Sequence, residues 1–253
     1  MITFKKLINY YNWGGRFLTD SFHLRVKSLN ETERTKSLSR TEIINRVIQS
    51  TKKENSVYLE IGVRNPADNF DHICAGQKYS VDPGIEFEAN PVDFKLTSDA
   101  FFEQLKTGKI CDKNLLFDVI FIDGLHTAEQ VYKDILNSLD FIQPNGFIIL
   151  HDCNPPTEWH ARETYAYEIS PAMNTWNGTT WKGFVKALEI TGISGCCIDT
   201  DWGVGILSKS MNFVQPEKIA NPFYEFAVFD ADRKQQLNLI SIERFEELFP
   251  KDK

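Results

Sequence analysis

The stretch that decides the fold is FDVIFIDGLH, residues 117–126, together with NGFIILHD, residues 145–152. Residues 118–123 and 147–150 are almost continuously apolar, which is typical of central strands in a parallel sheet buried on both faces. Polar residues follow at once: Asp123 after the first run, and His151 and Asp152 after the second. Two neighbouring strands would therefore present ionisable side chains at the same edge of one sheet.

Strand and helix patterns alternate on both sides of this stretch. Further strands are predicted at 57–63, 78–82, 195–200 and 203–208, and the last two would form an antiparallel hairpin through Asp201 and Trp202. One helix begins at a capping box of Ser39 and Glu42, a second begins at Thr127 as N-cap, and others are predicted over 181–190 and 241–249. Residues 144–146 (PNG) predict a turn before the 147–150 strand. This alternation predicts an α/β fold with a mostly parallel sheet.

The chain divides into three parts by composition. Residues 1–38 are predicted to be a basic, aromatic N-terminal arm, 39–210 the main domain, and 211–253 a C-terminal extension packed on that domain. Residues 1–54 hold 11 Lys/Arg and 5 Asp/Glu, a net charge of +6, which leaves −13 of the total of −7 for the remainder. We expect the arm to dock on its own acidic body, with phosphates or a membrane surface as the alternative partner. The acidic body argues against a nucleic-acid partner.

Composition indicates a globular protein without a membrane span. The 253 residues are 42% hydrophobic and 25% charged, which excludes a disordered or fibrous chain. The longest apolar runs, 119–122 and 147–150, are far too short to cross a bilayer. Five scattered cysteines without a C-x-x-C pair indicate a reducing compartment, so a cytoplasmic location is expected.

Chemistry-bearing residues follow each predicted strand. In an open α/β sheet, ligands bind outside the carboxyl ends of the strands. Asp82 lies 22 positions after Glu60, a spacing at which a carboxylate accepts the hydroxyls of a ribose. The first loop contains Gly62 but lacks G-x-G-x-x-G, which argues against a nicotinamide cofactor. The candidate site residues at these strand ends are Glu60, Gly62, Asp82, Ser98, Asp99, Asp123, His126, His151 and Asp152.

These motifs resemble class I S-adenosylmethionine-dependent methyltransferases. They are E-x-G at 60–62, Asp82, S-D-x-F-F at 98–102, FDVIFIDG and GFIILHD. The nearest resemblance is to a bacterial group associated with glycan modification, and the metal-dependent O-methyltransferases of sugars and catechols are more distantly similar. The resemblance covers about residues 40–210. It implies a Rossmann-like, mostly parallel seven-stranded sheet with a terminal antiparallel hairpin and helices on both faces.

The resemblance also assigns roles in binding S-adenosylmethionine. It implies that Glu60 and Gly62 lie at the methionine end of the cofactor and that Asp82 binds the ribose. Ser98 and Asp99 would flank the adenine, and Asp123 would complete the cofactor site. The loop at 64–69 replaces a glycine-rich stretch of the family, so the resemblance does not determine how the methionine approaches.

The resemblance implies an O-methyltransferase with a hydroxylated acceptor, a sugar or glycan precursor. Two mechanisms stay open. Asp123 and Asp152 would hold Mg²⁺ or another divalent metal, or His126 or His151 would act as a general base with Asp152 beside it. The segment at 174–182 would cover the acceptor with Trp176 stacked on a sugar, or would be a buried loop with Thr180 as N-cap.

Other functions and assemblies stay open as well. The rival functions are a non-catalytic binding or assembly module and a hydroxylase-like relative of the fold. The aromatic-rich termini fit either a cover on the core or a contact in a homo-oligomer.

Overall fold

A single seven-stranded sheet organises the computed structural model, which describes residues 3–51, 54–165 and 170–251. The strand order is β2-β1-β3-β4-β6-β5-β7. The strands are β1 (Val57–Ile61), β2 (Gln77–Val81), β3 (Phe117–Ile122), β4 (Ile142–Leu150), β5 (Ser194–Ile198), β6 (Val204–Ser208) and β7 (Leu239–Ile240). β1 pairs in parallel with β2 and β3, β3 with β4, and β5 with β7, whereas β6 runs antiparallel between β4 and β5. The predicted mostly parallel sheet with an antiparallel hairpin is confirmed.

Helices surround the sheet within the described ranges. They are α1 (Phe4–Thr19), α2 (Ser21–Thr35), α3 (Arg40–Ser50), α4 (Ser98–Lys106), α5 (Ala128–Phe141), α6 (Thr180–Ala187), α7 (Phe226–Ala231), α8 (Arg233–Gln236) and α9 (Ile242–Leu248). Two 3₁₀ turns, Pro66–Asp68 and Phe70–His72, follow β1. No helix in these ranges is long and apolar enough to cross a membrane.

Two hydrophobic cores lie on opposite faces of the sheet. Because side chains alternate along a strand, Ile120 of β3 points to one face and Phe121 to the other. Helices α4, α5, α6 and α7 pack on the Ile120 face, where Trp181 is fully buried. Helices α3 and α9 pack on the Phe121 face. The prediction of helices on both faces is therefore confirmed.

The sequence predicted the capping hydrogen bonds of α3 correctly but not that of α5. The capping box at Ser39 is present, with the Ser39 hydroxyl accepting from the Glu42 amide and the Glu42 carboxylate accepting from the Ser39 amide. Thr127 occupies the N-cap position of α5, but its side chain makes no capping bond there. The Thr179 hydroxyl accepts from the Ala128 amide instead, at 2.7 Å. A distant segment therefore supplies the cap, which no local pattern could reveal.

The turn predicted at residues 144–146 is wrong. These residues lie inside β4, where the register with β3 shifts between Phe117 and Val119. Helix α5 leads directly into β4, so the chain reverses at the junction of Phe141 and Ile142, and the residues before Phe147 form an irregularity in the strand. A Cβ on Gly146 would lie 2.8 Å from the carbonyl oxygen of Asp118, which explains the glycine at this position.

The two ends of the chain join the body differently. Helix α2 lies against the body through Lys36, whose ammonium is 2.7 Å from Glu33 and 2.8 Å from Asp199. Helix α1 is exposed along its described side chains. At the other end, β7 adds to the outer edge of β5, so the C-terminal segment contributes a strand to the main sheet.

Candidate active site

A cavity of about 900 Å³ opens at the carboxyl ends of β1, β2, β3 and β4. This volume is in the range of small-molecule binding sites. The parallel strands end at one edge of the sheet, so the polar residues that follow them converge there. The wall includes every candidate residue from the sequence: Glu60, Gly62, Asp82, Ser98, Asp99, Asp123, His126, His151 and Asp152.

Gly62 brings the loops after β1 and β3 into backbone contact. Its φ is +85°, a conformation that residues with a Cβ rarely adopt. A Cβ here would lie 2.3 Å from the Cα of Gly124 and 2.4 Å from the carbonyl oxygen of Asp123. Only glycine fits this position without a shift of the backbone. The contact fixes the loop that carries Asp123 next to the end of β1.

Asp82 is a buried carboxylate at the end of β2 that is oriented by the backbone. One oxygen accepts from the Arg64 amide at 2.8 Å, and the other accepts from the Gly84 amide at 2.6 Å. Each carboxylate oxygen has a second lone pair, so the group can still accept from a ligand. The geometry suits a ligand with neighbouring hydroxyl donors.

Glu60 points into the cavity from β1 and is almost fully buried. Burial raises the pKa of its carboxyl to about 7, although two hydrogen bonds oppose this shift. The donors are the Tyr58 hydroxyl at 2.6 Å and the Asn69 amide at 2.9 Å. Asn69 in turn accepts from the hydroxyl of Thr41 on α3. The sequence analysis did not identify Asn69; the only signal was that its loop departs from a glycine-rich pattern.

Ser98 and Asp99 stand in the first turn of α4, next to polar residues of α5. The side-chain amide of Gln130 donates to Ser98 at 3.2 Å, to Asp99 at 3.2 Å and to Asp134 at 3.0 Å. Burial raises the pKa of Asp134 to about 6. Gln130 and Asp134 also line the cavity. The sequence analysis did not identify Asp134, because a lone acid inside an amphipathic helix has no distinguishing pattern.

His126 lies between two carboxylates at the other end of the cavity. Its Nε2 is 3.2 Å from an Asp123 oxygen, and its Nδ1 is 3.3 Å from an Asp152 oxygen and 3.0 Å from the Trp176 carbonyl. Burial alone would lower the pKa of His126. The carboxylates of Asp152 and Asp123 outweigh burial and raise that pKa to about 9. Since both ring nitrogens face acceptors, the imidazole is held in its protonated form.

His151 is the second buried imidazole of this cluster. Its Nδ1 lies 3.4 Å from Asp123 and 3.5 Å from Asp152, and its Nε2 lies 3.2 Å from Asp201. Burial would lower the pKa of His151, but the carboxylates of Asp152 and Asp123 raise it well above the ordinary value. Burial would raise the pKa of Asp123, and His151 and His126 hold it well below its usual range instead. The cluster therefore balances buried negative charge with imidazolium protons.

The backbone at Asp152 has an uncommon conformation. Its φ is +61°, in the left-handed region that aspartate and asparagine tolerate better than most residues. The next two amides donate to the Gly203 and Trp202 carbonyls at 2.9 and 2.8 Å, so the tip of the β5–β6 hairpin holds this turn. The Asn177 side chain donates to an Asp152 oxygen at 2.7 Å. Uncommon backbone conformations of this kind cluster at functional sites, and here the residue is a carboxylate that lines the cavity.

Arg40 brings a cation into the site from the first turn of α3. Its guanidinium has one nitrogen 3.4 Å from His151 Nε2 and another 3.9 Å from an Asp123 oxygen. Its backbone amide donates to Asp201 at 2.8 Å. Neither Arg40 nor Asp201 was a candidate site residue in the sequence analysis. Arg40 carries no motif, and Asp201 was assigned only to the hairpin turn.

The segment at 170–179, here called the covering segment, closes one side of the cavity. The Trp176 ring lies 5.4 Å from the His126 ring, and its indole nitrogen donates to the Arg162 carbonyl at 2.8 Å. The Arg162 guanidinium donates to the carbonyls of Thr175 and Met173 at 2.8 and 2.9 Å. Trp176 thus lines the cavity, whereas Trp181 lies in the core and Thr179, not Thr180, is the N-cap of α6.

Three of these side chains could together hold a metal ion. The oxygens and nitrogens that Asp123, His126 and Asp152 offer all lie within 4.8 Å of one another, so one ion can reach all three. The carboxylate oxygens that an ion would use now face imidazolium protons, and a metal would replace those protons. Two carboxylates and one imidazole suit a divalent ion that accepts nitrogen as well as oxygen ligands. The residues therefore fit a divalent metal.

The sequence matches a known domain family over part of its length. Residues 67–153 match a family model described as a methyltransferase domain. The matched region contains β2, α4, β3, α5 and β4 and ends just after Asp152. No curated protein sequence matches the chain.

Several solved methyltransferase structures are distantly similar. The O-methyltransferase from Bacillus cereus in complex with SAH is 16% identical with a TM-score of 0.45, covering 76% of this chain and 92% of that chain. The O-methyltransferase TomG from Streptomyces achromogenes, in complex with SAM, is 8% identical with a TM-score of 0.43, and the match covers 75% of this chain and 89% of that chain. The SAH-bound methyltransferase PaMTH1 from Podospora anserina is 12% identical with a TM-score of 0.39, and the match covers 82% of this chain and 97% of that chain.

At these identities and TM-scores the solved structures carry no argument about function. The similarity to methyltransferases rests on the match over residues 67–153 and on the sheet of this chain. Both agree with the motifs at the strand ends. Residues 67–153 are similar to a methyltransferase domain, and the mostly parallel seven-stranded sheet with an antiparallel hairpin is the fold that the resemblance to class I methyltransferases implies.

Proposed function

We propose that the chain is an S-adenosylmethionine-dependent O-methyltransferase whose acceptor is a hydroxylated molecule, a sugar or glycan precursor. The observation that carries this proposal is the arrangement of one cavity with two different ends. Asp82 offers an oriented carboxylate at the β2 end, and the cluster of Asp123, His126, His151 and Asp152 offers proton-binding groups at the β3–β4 end. Glu60 on β1 lies between them. A methyl donor and a hydroxyl acceptor need this combination.

The cofactor would lie along the β1–β2 end of the cavity. S-adenosylmethionine supplies a methyl group on a positively charged sulfur. Asp82 would accept from the ribose hydroxyls, since two backbone amides already orient its carboxylate. Glu60 would face the methionine end, while Ser98 and Asp99 would flank the adenine. The match of residues 67–153 to a methyltransferase domain supports this choice of cofactor.

The acceptor would lie at the His126 end, under Trp176. Its hydroxyl must lose a proton and must sit in line with the methyl group, and alignment alone can lower a barrier by about 7–11 kcal/mol. A divalent cation held by Asp123 and Asp152, with His126, would acidify a bound hydroxyl. Without a metal, His126 or His151 would first have to release its own proton, because the carboxylates of Asp152 and Asp123 hold both rings in the protonated form. The neutral imidazole would then take the proton of the acceptor, and Asp152 would stabilise the resulting imidazolium. The Trp176 ring offers an apolar face on which a sugar could stack.

Calorimetry tests the cofactor part of the proposal. We expect wild-type protein to bind S-adenosylmethionine saturably and Asp82→Asn to weaken binding at least tenfold, because the variant removes the charge at the ribose position. Asp71→Asn makes the same change at an exposed position in the 3₁₀ turn Phe70–His72, outside the cavity wall, and should bind like wild type. Absence of binding by folded wild-type protein would refute the cofactor assignment.

A transfer assay tests the acceptor part. The product S-adenosylhomocysteine would be measured with panels of monosaccharides, sugar nucleotides and catechols, each with added Mg²⁺ or Mn²⁺ and with EDTA. Turnover of a sugar hydroxyl supports the proposal, and its loss in EDTA supports the metal route. Cofactor binding without turnover of any hydroxylated acceptor, but with turnover of an amine, would refute O-methylation.

A further inference from the structure

Helix α1 presents a surface that the proposed function does not use. Six large side chains in its first ten residues are 45–82% exposed: Phe4, Leu7, Ile8, Tyr10, Tyr11 and Trp13. None of them lines the cavity at the strand ends. Contiguous exposed apolar surface of this kind marks an interaction site, since a monomeric protein in water gains nothing from it.

Four of the six exposed apolar residues of α1 lie on a face away from its basic residues, whereas Trp13 lies on the basic side, with the Arg16 guanidinium 5.8 Å from its ring centre. Phe4, Leu7, Ile8 and Tyr11 are spaced by three, four and seven residues, so they share one side of the helix. Lys5 and Arg16 are eleven residues apart and therefore share another side, with Lys6 next to it on the helix surface. The helix is amphipathic, and its polar face is basic.

Charge separates α1 from the rest of the chain. Residues 3–19 contain Lys5, Lys6 and Arg16 and no aspartate or glutamate. The chain beyond residue 54 carries a net charge of −13. A negatively charged surface would therefore attract α1 and repel the body, so it would bind the molecule in one orientation.

We propose that α1 lies in the interface of an anionic lipid bilayer, with its apolar face among the acyl chains and its basic residues at the headgroups. An interfacial helix has these features: a strong apolar face, lysine and arginine on the polar face, and aromatic residues. Tyr10, Tyr11 and Trp13 each combine an apolar ring with a polar tip, which suits the boundary between lipid and water. The dry centre of a protein–protein contact would bury those polar tips without water.

Flotation of the full chain with lipid vesicles tests this proposal. In 0.1 M NaCl we expect the protein to float with vesicles of phosphatidylcholine and phosphatidylglycerol at 7:3 and to stay below vesicles of pure phosphatidylcholine. Each basic residue near an anionic surface strengthens binding about fivefold, so Lys5→Gln with Lys6→Gln should weaken binding about 30-fold. Leu7→Asp should abolish flotation, because it places a charge on the apolar face.

The matched control is Val214→Asp, which changes a side chain that is 82% exposed but lies outside α1. It should float like wild type, and circular dichroism should show that all variants fold. The proposal fails if folded wild-type protein does not bind the anionic vesicles, or if Leu7→Asp binds them as well as wild type does. It also fails if lipid-free wild type is a dimer by sedimentation that Leu7→Asp dissociates, because α1 would then bind a second copy of the chain. None of these readouts uses cofactor or acceptor, so they are independent of the methyltransferase proposal.

Discussion

The two ends of the cavity hold their key carboxylates in different ways. Asp82 accepts hydrogen bonds from the amides of Arg64 and Gly84, which belong to the loops directly after β1 and β2. Asp152 is held by side chains instead: Asn177 donates to it, and His126 and His151 face it. The Asp82 end therefore depends on the backbone of the sheet, and the Asp152 end on a network of ionisable groups.

This difference predicts how each end responds to change. Backbone amides are present whatever side chains surround them, so the orientation of Asp82 tolerates substitutions nearby. In the Asp152 network each charge shifts the pKa of its neighbours, as the raised pKa of His126 and the lowered pKa of Asp123 show. A single substitution there alters several protonation states at once.

The largest effect is expected from Asp152→Asn. Asparagine tolerates the positive φ of this position, so the variant removes the charge without straining the backbone. We expect kcat for methyl transfer to fall about 10³-fold, within the range of acid–base groups, while cofactor affinity changes less than about threefold. Steady-state kinetics and calorimetry on the same preparation separate the two quantities. If cofactor binding were lost together with kcat, the Asp82 end and the Asp152 end of the cavity would not be independent, which would contradict the difference described above.

Gly62→Ala tests the backbone contact that joins the two ends. The added Cβ would meet the backbone of Gly124 and Asp123, and we expect the free energy of unfolding in urea to fall by about 3 kcal/mol. The control is Gly192→Ala, where φ is +83° but no atom lies within 4 Å of the added Cβ. That variant should lose only about 1 kcal/mol, the cost of the conformation itself. Equal losses would show that the contact with Gly124 does not matter.

His160 is fully buried between Thr157 and Asn30 of α2, and this burial makes stability depend on pH. Burial lowers its pKa to about 4, from about 6.5 in the unfolded chain. The unfolded state therefore binds more protons between pH 6.5 and pH 4, so the contribution of His160 to stability is lost as the pH falls through this window. Between pH 7 and pH 5 the loss should be about 2 kcal/mol.

His160→Gln should remove this pH dependence while keeping a hydrogen-bonding side chain. Urea unfolding at several pH values gives the slope for both proteins, and groups that titrate in both cancel in the difference. His72→Gln, at an exposed position, should retain the wild-type slope. Parallel curves for wild type and His160→Gln would contradict the prediction.

The smallest change in stability is expected from substitutions of the two threonines next to the first residue of α5, Thr127 in the chain and Thr179 from the covering segment. Thr179 supplies the hydroxyl that accepts from the Ala128 amide, whereas the Thr127 side chain makes no capping bond. Thr179→Ala should lower the free energy of unfolding by about 1 kcal/mol and Thr127→Ala by only a few tenths. Thermal or urea unfolding of both variants decides between them. The opposite order would favour the local sequence pattern over the observed contact.

The sequence predicted the sheet well because strands buried on both faces have a continuous apolar pattern. Residues 118–123 and 147–150 indicated β3 and β4, and the topology of a parallel sheet then placed Asp123 and Asp152 at one edge. The strong local pattern at Ser39 and Glu42 likewise indicated the start of α3. These predictions needed only neighbours in sequence.

The residues that the sequence analysis missed come from distant segments. Arg40, Asn177 and Asp201 reach the Asp152 end from α3, the covering segment and the β5–β6 hairpin, and nothing in their local sequence distinguishes them. The protonation state of His126 could not be predicted either, because it depends on which oxygens the fold places against each ring nitrogen. The predicted turn at 144–146 was wrong because these residues lie inside β4, whereas Thr127 is the N-cap of α5 as predicted but leaves the bond to the Ala128 amide to Thr179.

The short strand β7 has a consequence for keeping the protein in solution. The Asp199 amide donates to the Ile240 carbonyl at 3.0 Å, so the C-terminal segment occupies backbone groups along the outer edge of β5. An uncovered edge strand can pair with the same edge of another molecule, which is a common first step towards aggregates. A protein shortened to residue 210 would keep every residue that lines the cavity, but it would lack β7 and would therefore expose that edge of β5. The segment after residue 210 therefore covers, through β7, part of an edge at which another molecule could otherwise pair.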